Sequence, residues 1–231
     1  MIDKVQLPFD FEHRPSLSGD DFLVAPSNEE AVAWIDKWPD WPAPVLILYG
    51  PTGCGKTHLS NVFIGLTGAV QLTPSIASNV SLVNPSDSQQ NFVLEIGNMN
   101  TFYNFNEEDL FHIYNDLSLY GGHMLITAET HPVNWKIGLA DLSSRIKATQ
   151  AVSIGMPDDN LIKAVLVKLF SDQQVRVEVD VIDYVTRRIE RSFDSARKFV
   201  MLADKLALSK NKGINLVLAR EVLDELEAKH S

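Results

Sequence analysis

The chain has 231 residues, 45% of them apolar, with 20 basic and 30 acidic side chains and a formal charge of -10 at pH 7. That length buries a proper core in one domain or two small ones, and no apolar run approaches the ~20 residues a membrane helix needs. Met1-Ile-Asp-Lys-Val-Gln lacks the pattern of a signal peptide, the single Cys54 excludes an internal disulfide and fits a reducing cytoplasm, and the absence of a dense basic tract argues against tight, direct binding of duplex DNA.

Residues 1–20 are polar and broken by Pro8, Pro15 and Gly19, so a tail is expected there. Glu29 to Trp38 has a helical pattern: Ser27 or Asn28 can cap it, Glu29 and Glu30 suit its positive end, and Pro39 stops it. Trp34 and Trp38 then share a face. The proline-rich stretch from Trp38 to Pro44 suits neither helix nor central strand, and a rigid linker packed by its tryptophans is expected.

Val45-Leu-Ile-Leu-Tyr49 has the pattern of a buried parallel strand, followed by a glycine loop and a helix from His58 to Leu66. Short β-like runs recur at 69–72, 92–96 and 123–127. A helix at 107–119 lies between the last two and ends near Gly121-Gly122. Strands alternating with helices predict an α/β unit with a parallel, doubly wound sheet over residues 21–155. Beyond Met156-Pro157 the pattern is helical only, over 158–171, 180–191, 195–209 and 216–229. A small all-helical domain is therefore expected over 156–231. The segment 73–90 is merely polar.

The loop Gly50-Pro51-Thr52-Gly53-Cys54-Gly55-Lys56-Thr57 fits G-x-x-x-x-G-K-[ST]. Glycines permit backbone angles and a close approach that a β-carbon would obstruct. Successive N–H groups then face phosphates, and the next helix presents its positive end. Lys56 reaches the β- and γ-phosphates in such a loop, and the Thr57 hydroxyl holds Mg²⁺. Gly50 to Thr57, with His58 following, are thus the candidate site for ADP or ATP with Mg²⁺. Cys54 is a tolerated small residue with no assigned chemistry. The histidines show no metal-ligand spacing, and no Ser-His-Asp set is evident, so neither a separate metal site nor a hydrolase triad is proposed.

Several segments resemble the bacterial replication initiator DnaA, a family of the AAA+ class: Phe22-Leu-Val-Ala-Pro-Ser-Asn28, the run from Gly50 to Leu59, and Met124-Leu-Ile-Thr-Ala-Glu-Thr-His-Pro132. Asp141-Leu-Ser-Ser-Arg145 and Asp194-Ser-Ala-Arg197 are similar to further family motifs. The likeness runs from about Phe22 to the C-terminus. It implies an AAA+ base over 21–155 and a helical lid over 156–231. The chain stops at Ser231, where the lid should end, and too few residues separate Leu72 from the Phe92 strand for an initiator's DNA-contacting insertion. A DnaA-like module without its DNA reader looks like the Hda branch, which inactivates DnaA at the sliding clamp of DNA polymerase III.

Gln6-Leu-Pro-Phe-Asp-Phe11 resembles the clamp-binding peptide of that branch. Pro8 disfavours helix, and in an extended segment Leu7, Phe9 and Phe11 point to one side while Gln6 supplies directional hydrogen bonds. A tail strand folded over its own core is the alternative. The resemblance implies that Arg145 reaches into the nucleotide of a neighbouring DnaA, and that Arg197 lies over the chain's own phosphates, with Asp194 or Ser195 capping its helix. Ordinary surface arginines, Arg145 pairing with Asp141, are the competing reading of both. Glu95 falls at the Mg²⁺-side position and Ile96 at that of the water-orienting acid; sliding Glu95 to the second position leaves Leu94 in the first, so either way the acidic pair is incomplete and intrinsic hydrolysis is expected to be very weak or nil. Thr127 and Glu129 are both candidates for the polar residue facing the γ-phosphate.

The expectation is a nucleotide-gated activator of DnaA, with a possible tendency to self-associate. A helicase-loader-type ATPase, a non-enzymatic adaptor joining clamp and initiator, and a small-molecule P-loop kinase are the rivals.

Overall fold

The structure, a computed structural model, describes residues 13–14, 22–80, 90–97 and 102–228. His13–Arg14 (β1) and Phe22–Leu23 (β2) form a short antiparallel ladder. The chain divides into two units, one over Pro26–Met156 and one from Pro157 onward that also takes in β1 and β2.

In the first unit, α1 (Glu29–Asp36) precedes β3 (Val45–Tyr49), whose apolar run is buried on both faces. Then follow α2 (Lys56–Thr67), β4 (Val70–Gln71), the single turn α3 (Pro74–Ala77), β5 (Phe92–Glu95), α4 (Glu107–Tyr120), β6 (Met124–Ala128), α5 (Ala140–Ala148) and β7 (Gln150–Ser153). The sheet order is β4-β5-β6-β3-β7, with every pairing parallel. Parallel pairing demands crossover connections, and helices supply them. Ile47, Val93 and Leu125 are 0% exposed at the centre of the sheet. Each such side chain contributes roughly 1.5–3 kcal/mol by leaving water.

At the amino end of the sheet Trp41 stacks on Phe63 of α2, with ring centroids 5.3 Å apart, and gives its indole N–H to the Trp34 carbonyl at 2.7 Å. The edges of the His123 and Trp38 rings close this cluster. Trp38 lies past the end of α1, because the helix stops at Asp36 rather than continuing to the proline.

The second unit packs α6 (Asp159–Asp172), α7 (Val179–Thr186), α8 (Phe193–Lys210) and α9 (Leu216–Ala228) around Ile162, Leu166, Ile182, Phe199 and Val222. Phe170 and Phe199 meet edge to face at 6.4 Å. Asp158 caps α6 by accepting from the Leu161 amide at 2.7 Å.

Three further boundaries differ from the sequence reading. Ser192, not Asp194 or Ser195, caps α8, accepting from the Ser195 amide at 3.1 Å, while Asp194 pairs with Lys198 at 2.6 Å. The helix expected over 180–191 is α7, which ends at Thr186. The helix after the glycine loop begins at Lys56, two residues early, because Gly55 is its cap.

Candidate nucleotide site

Strand β3 delivers the chain to the carboxyl edge of the sheet, flanked by β6 and β7, where crevices of open parallel sheets bind ligands. The Gly50 amide donates to the Ala128 carbonyl at 3.1 Å, so the loop leaves the sheet tied to β6. A β-carbon on Gly50 would stand 2.3 Å from the Ile154 carbonyl oxygen, so the glycine lets β3 and the segment after β7 approach. Gly53 and Gly55 have φ of 81° and 105°, left-handed values that a side chain would strain.

Gly55 caps α2 through its carbonyl, which accepts from the Leu59 amide, and no side chain caps that helix. The amides of Gly53, Gly55 and Thr57 make no hydrogen bond among the described residues, and that of Lys56 meets only the Cys54 sulfur. These orphan donors and the positive end of α2 suit an anion. Lys56 Nζ lies inside the loop, donating to the carbonyls of Gly50 at 2.8 Å and Pro51 at 2.9 Å. Cys54 is buried beneath it, with Sγ 3.9 Å from the ammonium. Burial pushes the thiol pKa up more than Lys56 and the neighbouring backbone amides lower it, which keeps the sulfur protonated and unreactive.

Around this loop the other candidates fall as follows. Thr57 is exposed at the start of α2. The hydroxyl of Thr52 donates to Glu129 Oε1 at 2.8 Å, joining the loop to the residue just past β6. Thr127 is buried in β6, in register with Leu48 of β3 and Glu95 of β5. Glu95 accepts from the Gln71 amide nitrogen at 3.4 Å. Ile96, the next residue, is 1% exposed, and its own amide donates to the Thr127 carbonyl at 2.7 Å.

This donor set fits a phosphate chain: unpaired amides, a lysine among them and an uncapped helix start. Among the described residues no group of three His, Cys, Asp or Glu is placed to hold a metal alone. A Mg²⁺ at Thr57 and Glu95 would therefore draw its remaining ligands from phosphate and water.

Arg145, in the last turn of α5, is exposed and pairs with no carboxylate among the described residues, Asp141 included. Its guanidinium lies over two rings of α4, 5.4 Å from the centroid of Phe111 and 5.3 Å from that of Tyr114. Glu107, at the start of α4, accepts from the amides of Gly138, at 3.0 Å, and Leu139 where α5 begins. No sequence signal pointed to these three residues, because their partners lie some thirty positions away along the chain. Arg197 is exposed at the fifth position of α8, in the second unit. The clamp-peptide residues Gln6, Leu7, Phe9 and Phe11 lie outside the described residues.

A parallel five-stranded sheet carrying this loop at the end of a central strand, followed by a helical unit, is the AAA+ form of the P-loop fold. The chain matches the crystal structure of domain III of the Thermotoga maritima replication initiation protein DnaA, with a TM-score of 0.71, 18% identity and coverage of 92% of this chain and 98% of that one. A Thermotoga maritima RuvB structure matches at a TM-score of 0.67 and 14% identity, covering 93% and 74%. A replication initiator DnaA bound to AMPPCP and single-stranded DNA matches at 0.63 and 15% identity, covering 82% and 66%.

In sequence the particular likeness is to chromosomal replication initiator proteins DnaA. That of Thermomicrobium roseum is 25% identical over 93% of this chain and 51% of its own length, and that of Bacteroides thetaiotaomicron is 24% identical over 90% and 49%. The chain thus spans about half the length of the curated relatives it matches. No protein-family model matches it.

Proposed function

We propose that this chain is a DnaA-like, nucleotide-bound regulator of replication initiation of the Hda kind, which presents Arg145 to ATP held by DnaA. The observation that carries the reading is a contrast within one unit. The phosphate loop has its donors in place, the position for a water-orienting acid holds the buried Ile96, and Arg145 stands exposed with no carboxylate partner among the described residues. A chain so built holds a nucleotide without hydrolysing it and keeps a guanidinium free for another molecule. The AMPPCP-bound DnaA among its structural neighbours supports nucleotide binding.

In this reading the amides from Gly53 to Thr57, with Lys56, grip the phosphates of ADP or ATP. Thr57 and Glu95 face the Mg²⁺ that neutralises those phosphates when bound. Glu129, held by Thr52, is the polar group beside the loop, and the buried Thr127 supports the strand behind it. Arg197 responds to the bound species from the helical unit. Gln6, Leu7, Phe9 and Phe11 dock the tail on the sliding clamp, and Arg145 contributes charge stabilisation worth ~10³–10⁵ in rate in other nucleotide hydrolases.

The test measures ATP hydrolysis by DnaA with clamp-loaded DNA in the presence of this protein. Wild type is expected to stimulate turnover and Arg145→Ala to lose at least tenfold of that stimulation. Equal stimulation by the two proteins removes the arginine from the mechanism.

A further inference from the structure

Residues Glu107, Phe111 and Tyr114 stand at positions i, i+4 and i+7 of α4, which places them on one face of that helix. All three act on α5. The Glu107 carboxylate accepts two consecutive amides, those of Gly138 and Leu139, where α5 begins. No side chain of α5's own N-cap residue does this: Leu139 occupies the cap position and offers none. An ionised carboxylate on helix-start amides makes charge-assisted bonds, about twice as strong as neutral ones. The approach is close, since a β-carbon on Gly138 would come within 3.4 Å of Glu107 Oε2.

Toward the other end of α5, Phe111 and Tyr114 offer their π systems to the Arg145 guanidinium at 5.4 and 5.3 Å. Tyr114 is buried and Phe111 half-buried, so the rings are held by the core while the arginine above them stays exposed. A long arginine side chain free in water samples many rotamers; one laid across two anchored rings does not. Its N–H donors keep their capacity, because a ring attracts the cation without accepting those hydrogens in the plane of the guanidinium.

We infer that the Glu107–Phe111–Tyr114 face of α4 is a mount that pre-orients Arg145 for its trans partner: Glu107 sets the position of α5 and the two rings set the direction of the guanidinium. The three are positioning residues, since none of them reaches the partner's phosphates. This inference rests on the proposed role of Arg145 and adds what aims it. Immobilising the arginine beforehand removes an ordering cost from the productive complex, so loss of the mount lowers the maximal stimulated rate rather than the concentration of this protein needed for half-effect.

The experiment uses the full chain and the variants Phe111→Leu, Phe111→Trp and Glu107→Gln, with Arg145→Ala as reference. NMR first records the Arg145 δ-methylene protons, which ring currents shift upfield over two aromatic faces. The shift is expected to shrink in Phe111→Leu and to persist in Phe111→Trp. Maximal stimulation is expected to fall roughly two- to fivefold in Phe111→Leu, the weight of an exposed cation–π contact, and to return in Phe111→Trp. Glu107→Gln is expected to fall in the same sense, with its thermal unfolding still cooperative.

Unmoved Arg145 resonances in Phe111→Leu overturn the mount. So does a rise in stimulation, which would mean that the rings park the arginine, or an effect confined to half-saturation, which would make Phe111 a partner contact. If Arg145→Ala stimulates as wild type does, the functional reading has failed, and the resonance shifts still decide whether the mount exists.

Discussion

Two strand ends at the carboxyl edge of one sheet differ in kind. Past β3, the backbone is opened for a ligand: left-handed glycines, unpaired amides and a lysine within its own loop. Past β5, the chain continues into Ile96, which is buried and closes the position with an apolar side chain. Gripping a phosphate and activating water are therefore separable properties of this architecture, because they reside on different strands and depend on different chemistry. Backbone amides do the first; a carboxylate kept ionised near solvent does the second.

The strongest way to break that contrast is to force an acid into the closed end. Ile96→Glu places a carboxyl where 1% of the residue is exposed, and unfolding free energy is expected to drop by about 3–5 kcal/mol in urea titration. Wild-type stability in that variant would mean that the β5 end is as open as the β3 end. Next in size, Lys56→Ala removes the ammonium from the loop. ADP affinity, measured by calorimetry, is expected to fall roughly thirty- to hundredfold, the weight of hydrogen bonds to a charged group.

A smaller effect tests the link between loop and β6. Thr52→Val keeps the shape but deletes the hydroxyl that Glu129 accepts, and a change of a few fold in ADP affinity is expected, about 1 kcal/mol. No change at all would show that Glu129 is a solvated strand-end acid with no part in the site.

The smallest effect belongs to the amino end of β6, which serves as a control. Burial lowers the pKa of His123 below its ordinary 6.5, and its hydrogen bond to the Pro39 carbonyl only partly opposes this. The unfolded chain then takes up a proton more readily than the folded one. The neutral histidine's contribution is fully present above about 6.5 and is lost as pH falls below that value and through the lower pKa of the folded state. Melting temperature is expected to decline less from pH 7.5 to 5 in His123→Gln than in wild type, with ADP affinity unchanged.

What was legible in the sequence was local. The phosphate loop announces itself because its glycines, lysine and threonine act within eight consecutive residues, and β3 because five apolar residues need burial on both faces. The all-helical character of the stretch after Pro157 was equally plain. The polar edge strand β7 was missed: its outer side is partly exposed, so it has no apolar run to display. Helix α5 was missed as a helix for a related reason, since only Leu142 and Ile146 of its nine residues are buried. Contacts such as Thr52 to Glu129 and Glu107 to Gly138 join residues 77 and 31 positions apart, and no pattern of spacing encodes them.

The stacked pair Trp41 and Phe63 has a practical consequence. Phe63 belongs to the same rigid helix that starts at Lys56, seven residues or about 10 Å earlier at the rise of an α-helix. An indole thus rests on the far end of the element whose near end faces the phosphates. Any tilt of that helix on ligand capture alters the ring stacking, so native tryptophan emission offers an optical readout of occupancy without a label.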